Sequence, residues 1–337
     1  MNQGTPITRA GVEYAYRYLL GRMPENERAY EYGLSAGTVE TLRTWLMDST
    51  EFAAKVRRDA PGVLTRWLAH ERAARSTVEQ EAEARGEMPR IVFIHLMKTA
   101  GNSLRRRLEK LVPPGTVRPE TLGRPGQFPV ESFAPYRLVA GHMTADDAAH
   151  VPGPKRVFTV LRDPKQRLVS LYVFWNRHRD DVIDERDLRQ QRIARSSTFL
   201  EFLRSRDTHL RGSLHNAMTA SLAGDWRSKG DGTYRHRYLR DVPSIGPAEL
   251  LRRALNNMMA LDYVAFVERL EEDRPKLMQA LGLPDTGPLP RENTRENIND
   301  MLEPAKEVEI TPEVDREMNR LTELDRQLYR LARQHWG

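Results

Sequence analysis

Cysteine is absent from the 337 residues of the sequence. This absence excludes disulfide bonds and thiolate metal sites, and it argues against the small secreted folds that depend on disulfides. Apolar runs are also short, because none approaches the roughly 18 residues that a membrane-spanning helix needs. Residues 1–14 contain no apolar segment of the kind found in signal peptides. We therefore expect a cytoplasmic, bacterial-type protein without a membrane span.

A strong excess of charge of one sign is missing as well. The chain has 53 lysine and arginine residues against 47 aspartate and glutamate residues, which gives a net charge of +6. This balance disfavours nucleic acid as a partner and is compatible with a site that handles anions. Neither an H-E-x-x-H motif nor a carboxylate cluster with metal-site spacing occurs in the sequence. We therefore expect no metal cofactor.

Three segments follow one another along the chain. Residues 1–60 carry apolar side chains at helical spacing and predict a small all-helical domain. They resemble a short helical module with an L-G-R-x-P turn and an S-x-E-F ending. We interpret this domain as a docking or oligomerisation module, and in the second case the protein would be a homo-oligomer. Residues 61–87 predict a charged helical connector, and residues 88–337 predict a larger domain.

The most informative stretch lies at the start of the larger domain. Residues 91–96 form a short apolar run rich in β-branched side chains, which predicts a strand buried on both faces of a parallel sheet. A helix with leucines on one stripe follows. The turn between them consists of Lys98, Thr99, Ala100, Gly101, Asn102 and Ser103. The free N–H groups of the helix N-terminus, the lysine charge and the hydroxyls together predict an anion-binding cradle.

The order of residues in this cradle differs from that of a Walker A loop. A Walker A loop has glycines ahead of its lysine, whereas residues 92–97 contain none. The turn resembles the 5′-phosphosulfate loop of sulfotransferases that use 3′-phosphoadenosine 5′-phosphosulfate (PAPS). It is similar to the family-2 type, related to heparan sulfate and uronyl 2-O-sulfotransferases, whose loop reads roughly F-I-H-x-P-K-T-A-G-T-S. The chain departs from that pattern at Met97 and Asn102. The resemblance implies that the turn binds the donor and that the fold is P-loop-like.

A second motif follows another predicted strand, residues 156–161. Asp163 and Pro164 suit the start of a helix there. The string R-D-P-x-x-R-x-x-S-x-Y, residues 162–172, resembles in full the 3′-phosphate motif of the same family. The resemblance implies that Arg162 and Ser170 bind the 3′-phosphate of PAPS. Arg167 either assists them or pairs with an acid on the helix surface.

The candidate base lies after a third predicted strand. Residues 137–141 predict this strand, and His142 follows it directly, in a position that resembles the catalytic base of 2-O-sulfotransferases. A histidine that titrates near neutrality suits the removal of a proton from an acceptor hydroxyl. His95 is the rival, although a histidine within a buried strand more often has a structural role. If the strands are parallel, Lys98, His142 and Arg162 share one edge of the sheet.

The sequence as a whole predicts an α/β fold, with a parallel sheet flanked by helices and residues 263–267 as a fourth strand. The leading hypothesis is a PAPS-dependent sulfotransferase acting on a hydroxyl of a carbohydrate or glycoconjugate. A P-loop-like kinase and a non-catalytic nucleotide- or glycan-binding adaptor are the alternatives. Acceptor choice is expected in loops at residues 113–135, 179–197 and 225–246. Asn216 and Thr219 share a helix face that either meets the substrate or serves capping and packing.

Overall fold

The computed structural model describes residues 6–16, 20, 22–38, 41, 42, 45, 46, 49, 51, 89–119, 125–237, 239, 242–289 and 301–337. The chain divides into two compact units, Met1–Gln80 and Glu81–Gly337. The predicted connector, residues 61–87, lies outside the described residues. The predicted division into residues 1–60, 61–87 and 88–337 therefore stays a prediction.

The described part of the first unit contains two helices, α1 (Arg9–Ala15) and α2 (Glu27–Ser35). Both begin at a residue whose side chain accepts a hydrogen bond from the first turn: Thr8 from Gly11 N and Asn26 from Ala29 N. These two helices agree with the helical pattern of the sequence. An all-helical domain over residues 1–60 remains a prediction.

The second unit is built on a four-stranded sheet. Its strands are β1 (Arg90–Ile94), β2 (Leu138–Gly141), β3 (Lys155–Leu161) and β6 (Tyr263–Phe266), in the order β2-β1-β3-β6. Every pairing is parallel, with Ile94 opposite both Gly141 and Thr159. Most of the strand residues are buried, as their apolar runs require. The predicted α/β fold with a parallel sheet flanked by helices is confirmed.

Helices surround this sheet, and β4 (Trp226–Ser228) and β5 (Tyr234–His236) form a separate, two-stranded antiparallel hairpin. The helices in chain order are α3 (Gly101–Glu109), α4 (Ala145–His150), α5 (Pro164–Asn176), α6 (Asp180–Glu185), α7 (Arg189–Ser196), α8 (Phe199–Leu203), α9 (Thr208–Leu214), α10 (Ala217–Leu222), α11 (Pro247–Met259), α12 (Leu270–Leu281), α13 (Pro312–Leu321) and α14 (Glu323–Trp336). One apolar core joins α5 to α7, α8, α9 and α13 through Leu168, Ala194, Phe202, Leu210 and Leu321. This core fixes the position of α5, which lines the candidate site.

Three segments differ from the sequence-based expectation. Residues 179–197, predicted as a loop, contain α6 and α7. The predicted loop at 225–246 contains the β4–β5 hairpin. The apolar spacing of residues 312–335 suits a single C-terminal helix, but α13 and α14 are separated at Thr322, whose Oγ1 donates to Met318 O at 2.7 Å. Within the described ranges, no helix combines the length and apolar character that crossing a membrane would need.

Candidate active site

The candidate site lies at the carboxyl ends of β1 and β3, where the chain leaves the sheet in opposite directions. The connection after β1 leads to β2 on one side, and the connection after β3 leads to β6 on the other. Such a reversal opens a crevice in which α/β proteins bind ligands. Lys98 follows β1 and Arg162 follows β3, and Arg162 Nη1 donates to Lys98 O at 3.3 Å. These two cations therefore flank the crevice.

The turn after β1 has an unusual backbone. Lys98 and Ala100 have φ values of 69° and 58°, a left-handed conformation that is uncommon for residues other than glycine. Ala100 is also the N-cap of α3 and provides no side chain to cap it. The start of α3 therefore has no side-chain cap from Ala100, and the N-terminus of a helix is in general favourable for an anion. Strain of this kind is typical of sites where a backbone is shaped around a ligand.

The side chains of the turn are used in different ways. Thr99 is fully buried, and its Oγ1 donates to Leu96 O at 2.8 Å, so its hydroxyl shapes the turn. Ala100, Gly101, Asn102 and Ser103 line a cavity of about 490 Å³ together with Lys98 and His142. We call this cavity the loop pocket. The residues that the sequence assigned to donor binding thus face the loop pocket, with the exception of Thr99.

Gly101 is required because of His95. A side chain at Gly101 would overlap the imidazole of His95. That imidazole is 5% exposed, and burial lowers the pKa of His95 to about 3, with smaller contributions from His142, Arg105 and Lys98. His95 is therefore neutral at physiological pH and too weak a base for proton abstraction. His95, which the sequence places within the strand, follows the end of β1 at Ile94, and its ring packs against Gly101 at the start of α3.

Replacing Gly101 with alanine is expected to destabilise the fold by roughly 1–3 kcal/mol, because the added methyl group overpacks the buried ring of His95. Chemical denaturation would measure the change in the free energy of unfolding. Gly246→Ala is the matched control, since a methyl group at Gly246 meets nothing within 4 Å. Adding His95→Ala should recover part of the loss, and additive effects of the two substitutions would contradict the contact.

Lys98 is held inside the site by an aromatic ring. Its Nζ lies 3.7 Å from the centroid of the Phe174 ring, within the range of a cation–π interaction. Burial, reinforced by the positive charges of Arg162 and Arg177, lowers the pKa of Lys98 to about 8. An anion bound nearby would stabilise the charged form of Lys98 and raise its pKa toward the ordinary value of a lysine.

Arg162 is held in place from the turn that begins α5. Asp163 Oδ1 accepts a hydrogen bond from Gln166 N at 2.9 Å and caps α5, as the sequence predicts. Asp163 N in turn donates to Glu268 Oε1 at 2.7 Å, and the other carboxylate oxygen of Glu268 accepts from Tyr329 OH at 2.9 Å. Burial lowers the pKa of Arg162. Its buried Nε has no hydrogen-bond partner among the described residues.

His142 follows β2 directly, and its ring is exposed at the loop pocket. Its Nδ1 lies 3.0 Å from His95 O, and its ring stacks on that of His95 with centroids 4.4 Å apart. A carbonyl oxygen can only accept, so Nδ1 of neutral His142 carries the proton. Nε2 then has a free lone pair, which is the tautomer that a general base requires.

Two further cavities share walls with the loop pocket. The long cleft, about 620 Å³, has Lys98, Arg162, Ser170, Phe174 and Leu302 in common with it. The inner pocket, about 210 Å³, has His95, Met97 and His142 in common with it. The described lining of the loop pocket and of the inner pocket contains no Asp or Glu. A ligand in the long cleft and a second one in the inner pocket would therefore meet near Lys98 and His142.

Several polar residues that the sequence left open have structural partners. Arg167 is buried, and its Nη2 donates to Ser213 O at 3.0 Å, although the residue also lines the inner pocket. Thr219 Oγ1 donates to Asp325 Oδ1 at 2.7 Å. Asn216 Oδ1 accepts from Leu324 N at 2.8 Å. Asn216 and Thr219 thus hold α10 against α14.

The motifs of the sequence assign no role to Arg177 or to His178. Arg177 lines the long cleft and His178 lines the loop pocket. Both continue the cleft-facing side of α5, which carries Gln166, Ser170 and Phe174 at intervals of four residues. This helical spacing was the signal that could have identified them.

A scan of the chain against models of known protein families found no match, and a search of curated proteins found no significant match. Among the described residues, no group of three or more histidine, aspartate or glutamate side chains is placed to hold a metal ion. The interpretation of the site therefore rests on its residues and their geometry.

Proposed function

We propose that the protein is a PAPS-dependent sulfotransferase with a P-loop-like fold, which transfers a sulfuryl group to a hydroxyl of a carbohydrate or glycoconjugate. The observation that carries this proposal is the position of Lys98 and Arg162 on either side of the crevice between β1 and β3. The imidazole of His142, with Nδ1 at 3.0 Å from His95 O, faces the same pocket as Lys98. Cations for a donor and a base for an acceptor thus meet in one place.

The donor would occupy the long cleft and the loop pocket. The first-turn N–H groups of α3 and the ammonium of Lys98 are suited to the 5′-phosphosulfate. Arg162 and Ser170 are suited to the 3′-phosphate, and the partnerless Nε of Arg162 is compatible with such a ligand. Lys165, the other lysine of the long cleft, already pairs with Asp315 at 2.6 Å and is not needed for this task.

In the proposed transfer, the acceptor oxygen attacks sulfur while the bond between sulfur and the bridging phosphate oxygen breaks. The electron pair of that bond stays on the departing 3′,5′-bisphosphate, where Lys98 and the helix N–H groups stabilise the added charge. The hydroxyl proton passes to Nε2 of His142, whose Nδ1–H remains bound to His95 O. The carbonyl of His95 holds the imidazole in this orientation.

The acceptor would enter through the inner pocket, which is lined by His142 and shares no described lining residue with the long cleft. Arg167, Arg227 and Arg237 line this pocket, and its described lining has no acid. This charge favours an acceptor that carries a negative group near the reacting hydroxyl. Neutral acceptors are expected to be used poorly.

Calorimetric titration with adenosine 3′,5′-bisphosphate tests the donor site. We expect the bisphosphate to bind and AMP to bind much more weakly, because only the bisphosphate engages Arg162. Arg162→Ala should weaken bisphosphate binding by roughly tenfold to a hundredfold, the effect of losing hydrogen bonds to a charged group. Arg192→Ala, which removes an exposed arginine paired with Asp184, is the control. Preference for ATP with Mg²⁺ would favour a kinase instead.

A further inference from the structure

Arg177 ends α5 and belongs to the wall of the long cleft. It is the C-cap residue of α5 and is 6% exposed. Ser170 and Phe174 line the cleft on the same side of this helix. With a rise of about 1.5 Å per residue, Arg177 lies about 10 Å along the helix from Ser170. The cleft therefore offers a second cationic region at a distance from the assigned 3′-phosphate residues.

Part of the Arg177 guanidinium is held by backbone, and part of it is not. Nε donates to Glu303 O at 2.7 Å, while Glu303 N donates to Arg177 O at 2.6 Å. The Glu303 carboxylate is engaged by both terminal nitrogens of Arg195, at 2.6 and 2.9 Å. Nη2 of Arg177 is buried and has no hydrogen-bond partner among the described residues. The guanidinium is thus fixed in direction with one donor unused.

The charges of the long cleft point to an anionic occupant. Four cations line it, Lys98, Arg162, Lys165 and Arg177, against Asp163 and Asp315. Asp315 pairs with Lys165 and Asp163 caps α5. Among the described lining residues, Lys98, Arg162 and Arg177 have no carboxylate bonded to them in the cleft. Asp163 and Glu268 influence Arg162 electrostatically without an ion pair to it. Buried cations that are incompletely neutralised are unfavourable, and a ligand with more than one anionic group would neutralise them.

We propose that Arg177 is a third anion-binding residue of the cleft, whose Nη2 donates a hydrogen bond to a phosphate or sulfate oxygen of the ligand that Lys98 and Arg162 also hold. The identification of that ligand as an adenosine bisphosphate or phosphosulfate rests on the proposed function. The need for an oxyanion at Arg177 rests on the geometry of the cleft alone. Arg177 therefore extends the donor site beyond the residues of the two sequence motifs.

The test compares Arg177→Gln and Arg177→Lys with the wild type in titrations with adenosine 3′,5′-bisphosphate and with inorganic pyrophosphate. We expect Arg177→Gln to weaken both by roughly tenfold or more, the effect of losing a charged donor. Arg177→Lys should recover only part of the loss, because one ammonium cannot serve Glu303 O and the ligand as Nε and Nη2 do. Arg179→Gln is the matched control, since Arg179 is exposed and pairs with Asp181.

A crystal structure of the wild type with the bisphosphate provides a measurement that does not depend on a variant folding. A phosphate oxygen within hydrogen-bond distance of Arg177 Nη2 would support the proposal, and its position would show which phosphate is bound. A folded Arg177→Gln variant with wild-type affinities, or phosphates out of reach of Nη2, would overturn it.

The two proposals fail in different ways. If the wild type binds pyrophosphate but not the bisphosphate, the sulfotransferase proposal falls, and a loss of pyrophosphate affinity in Arg177→Gln still supports the role of Arg177. If the wild type binds the bisphosphate and Arg177→Gln binds it equally well, only the role of Arg177 is wrong. Binding of neither ligand would overturn both.

Discussion

The His142→Asn variant is expected to lose sulfuryl transfer by about 10²–10⁴-fold, the usual contribution of a general base, while its affinity for adenosine 3′,5′-bisphosphate stays unchanged. The asparagine amide can donate to His95 O as Nδ1 of His142 does. It has no basic nitrogen in place of Nε2. The substitution therefore removes the base and keeps the hydrogen bond that shapes the turn.

Transfer of radiolabelled sulfate from PAPS to a panel of acidic saccharides would measure the loss, and calorimetry would measure donor binding. His209→Asn serves as the control, because the side chain of His209 is 66% exposed and lies outside the described lining of the three cavities. Full activity of His142→Asn would mean that another group takes the proton, with His178 in the same pocket as the first candidate. A wild type that binds the bisphosphate but transfers nothing to any acceptor would favour the adaptor.

Lys98→Met should weaken donor binding by roughly tenfold to a hundredfold and lower turnover further, by about 10²–10³-fold. The first effect follows from the loss of a charged donor to the 5′ end of the ligand. The second follows because the leaving bisphosphate gains charge in the transition state. Methionine retains the length and the contact with Phe174 without the charge. Lys110→Met, at an exposed lysine after α3, is the control.

The affinity for the donor is also expected to depend on pH, because Lys98 titrates in an accessible range. Its pKa is about 8 in the free protein, so near pH 8 about half of the molecules carry a neutral lysine. A bound anion favours the protonated form and raises this pKa. Binding near pH 8 should therefore take up roughly half a proton, and affinity should fall as the pH rises above 8. Titrations in buffers with different ionisation enthalpies would measure the uptake, and equal uptake by Lys98→Met would exclude Lys98 as its source.

The sheet and the positions of the cations could be predicted because each depends on local sequence. Short apolar runs bounded by polar turns are typical of strands buried on both faces, and β1, β2, β3 and β6 are found within about a residue or two of the predicted bounds. Lys98, His142 and Arg162 immediately follow such runs or lie a short turn beyond them. A parallel arrangement then places them on one edge.

The helices α6 and α7 were missed because the few apolar side chains that they bury, Val182, Ile183 and Ala194, pack against partners that local sequence does not reveal. Their charged side chains pair across the two helices and with distant segments: Arg192 with Asp184, and Arg195 with both Asp180 and Glu303. A charge-dense stretch with few apolar residues is ambiguous between a solvated loop and such a helix pair.

Two features of the site depend on long-range packing and were not accessible from the sequence. His95 cannot act as a base because its ring is buried against Gly101, and no sequence motif indicates this burial. The orientation of Arg177 depends on Glu303, 126 residues further along the chain. Motifs identify the groups that touch a ligand, whereas the groups that depend on distant backbone must be read from the structure.

The pairing of Arg177 with Glu303 has a consequence for the order in which the protein folds. The helices and the β1–α3 turn depend on contacts between near neighbours in the chain, but this wall of the cleft closes a loop of 126 residues. The entropy lost on closing a loop rises with the length of the loop. Such contacts therefore lower the free energy only after the intervening segments have formed. We expect the helices and the β1–α3 turn to form first, and the cleft wall to close late, together with the packing of α13 against α5. Chains interrupted late in folding would then hold a formed sheet and an incomplete anion site.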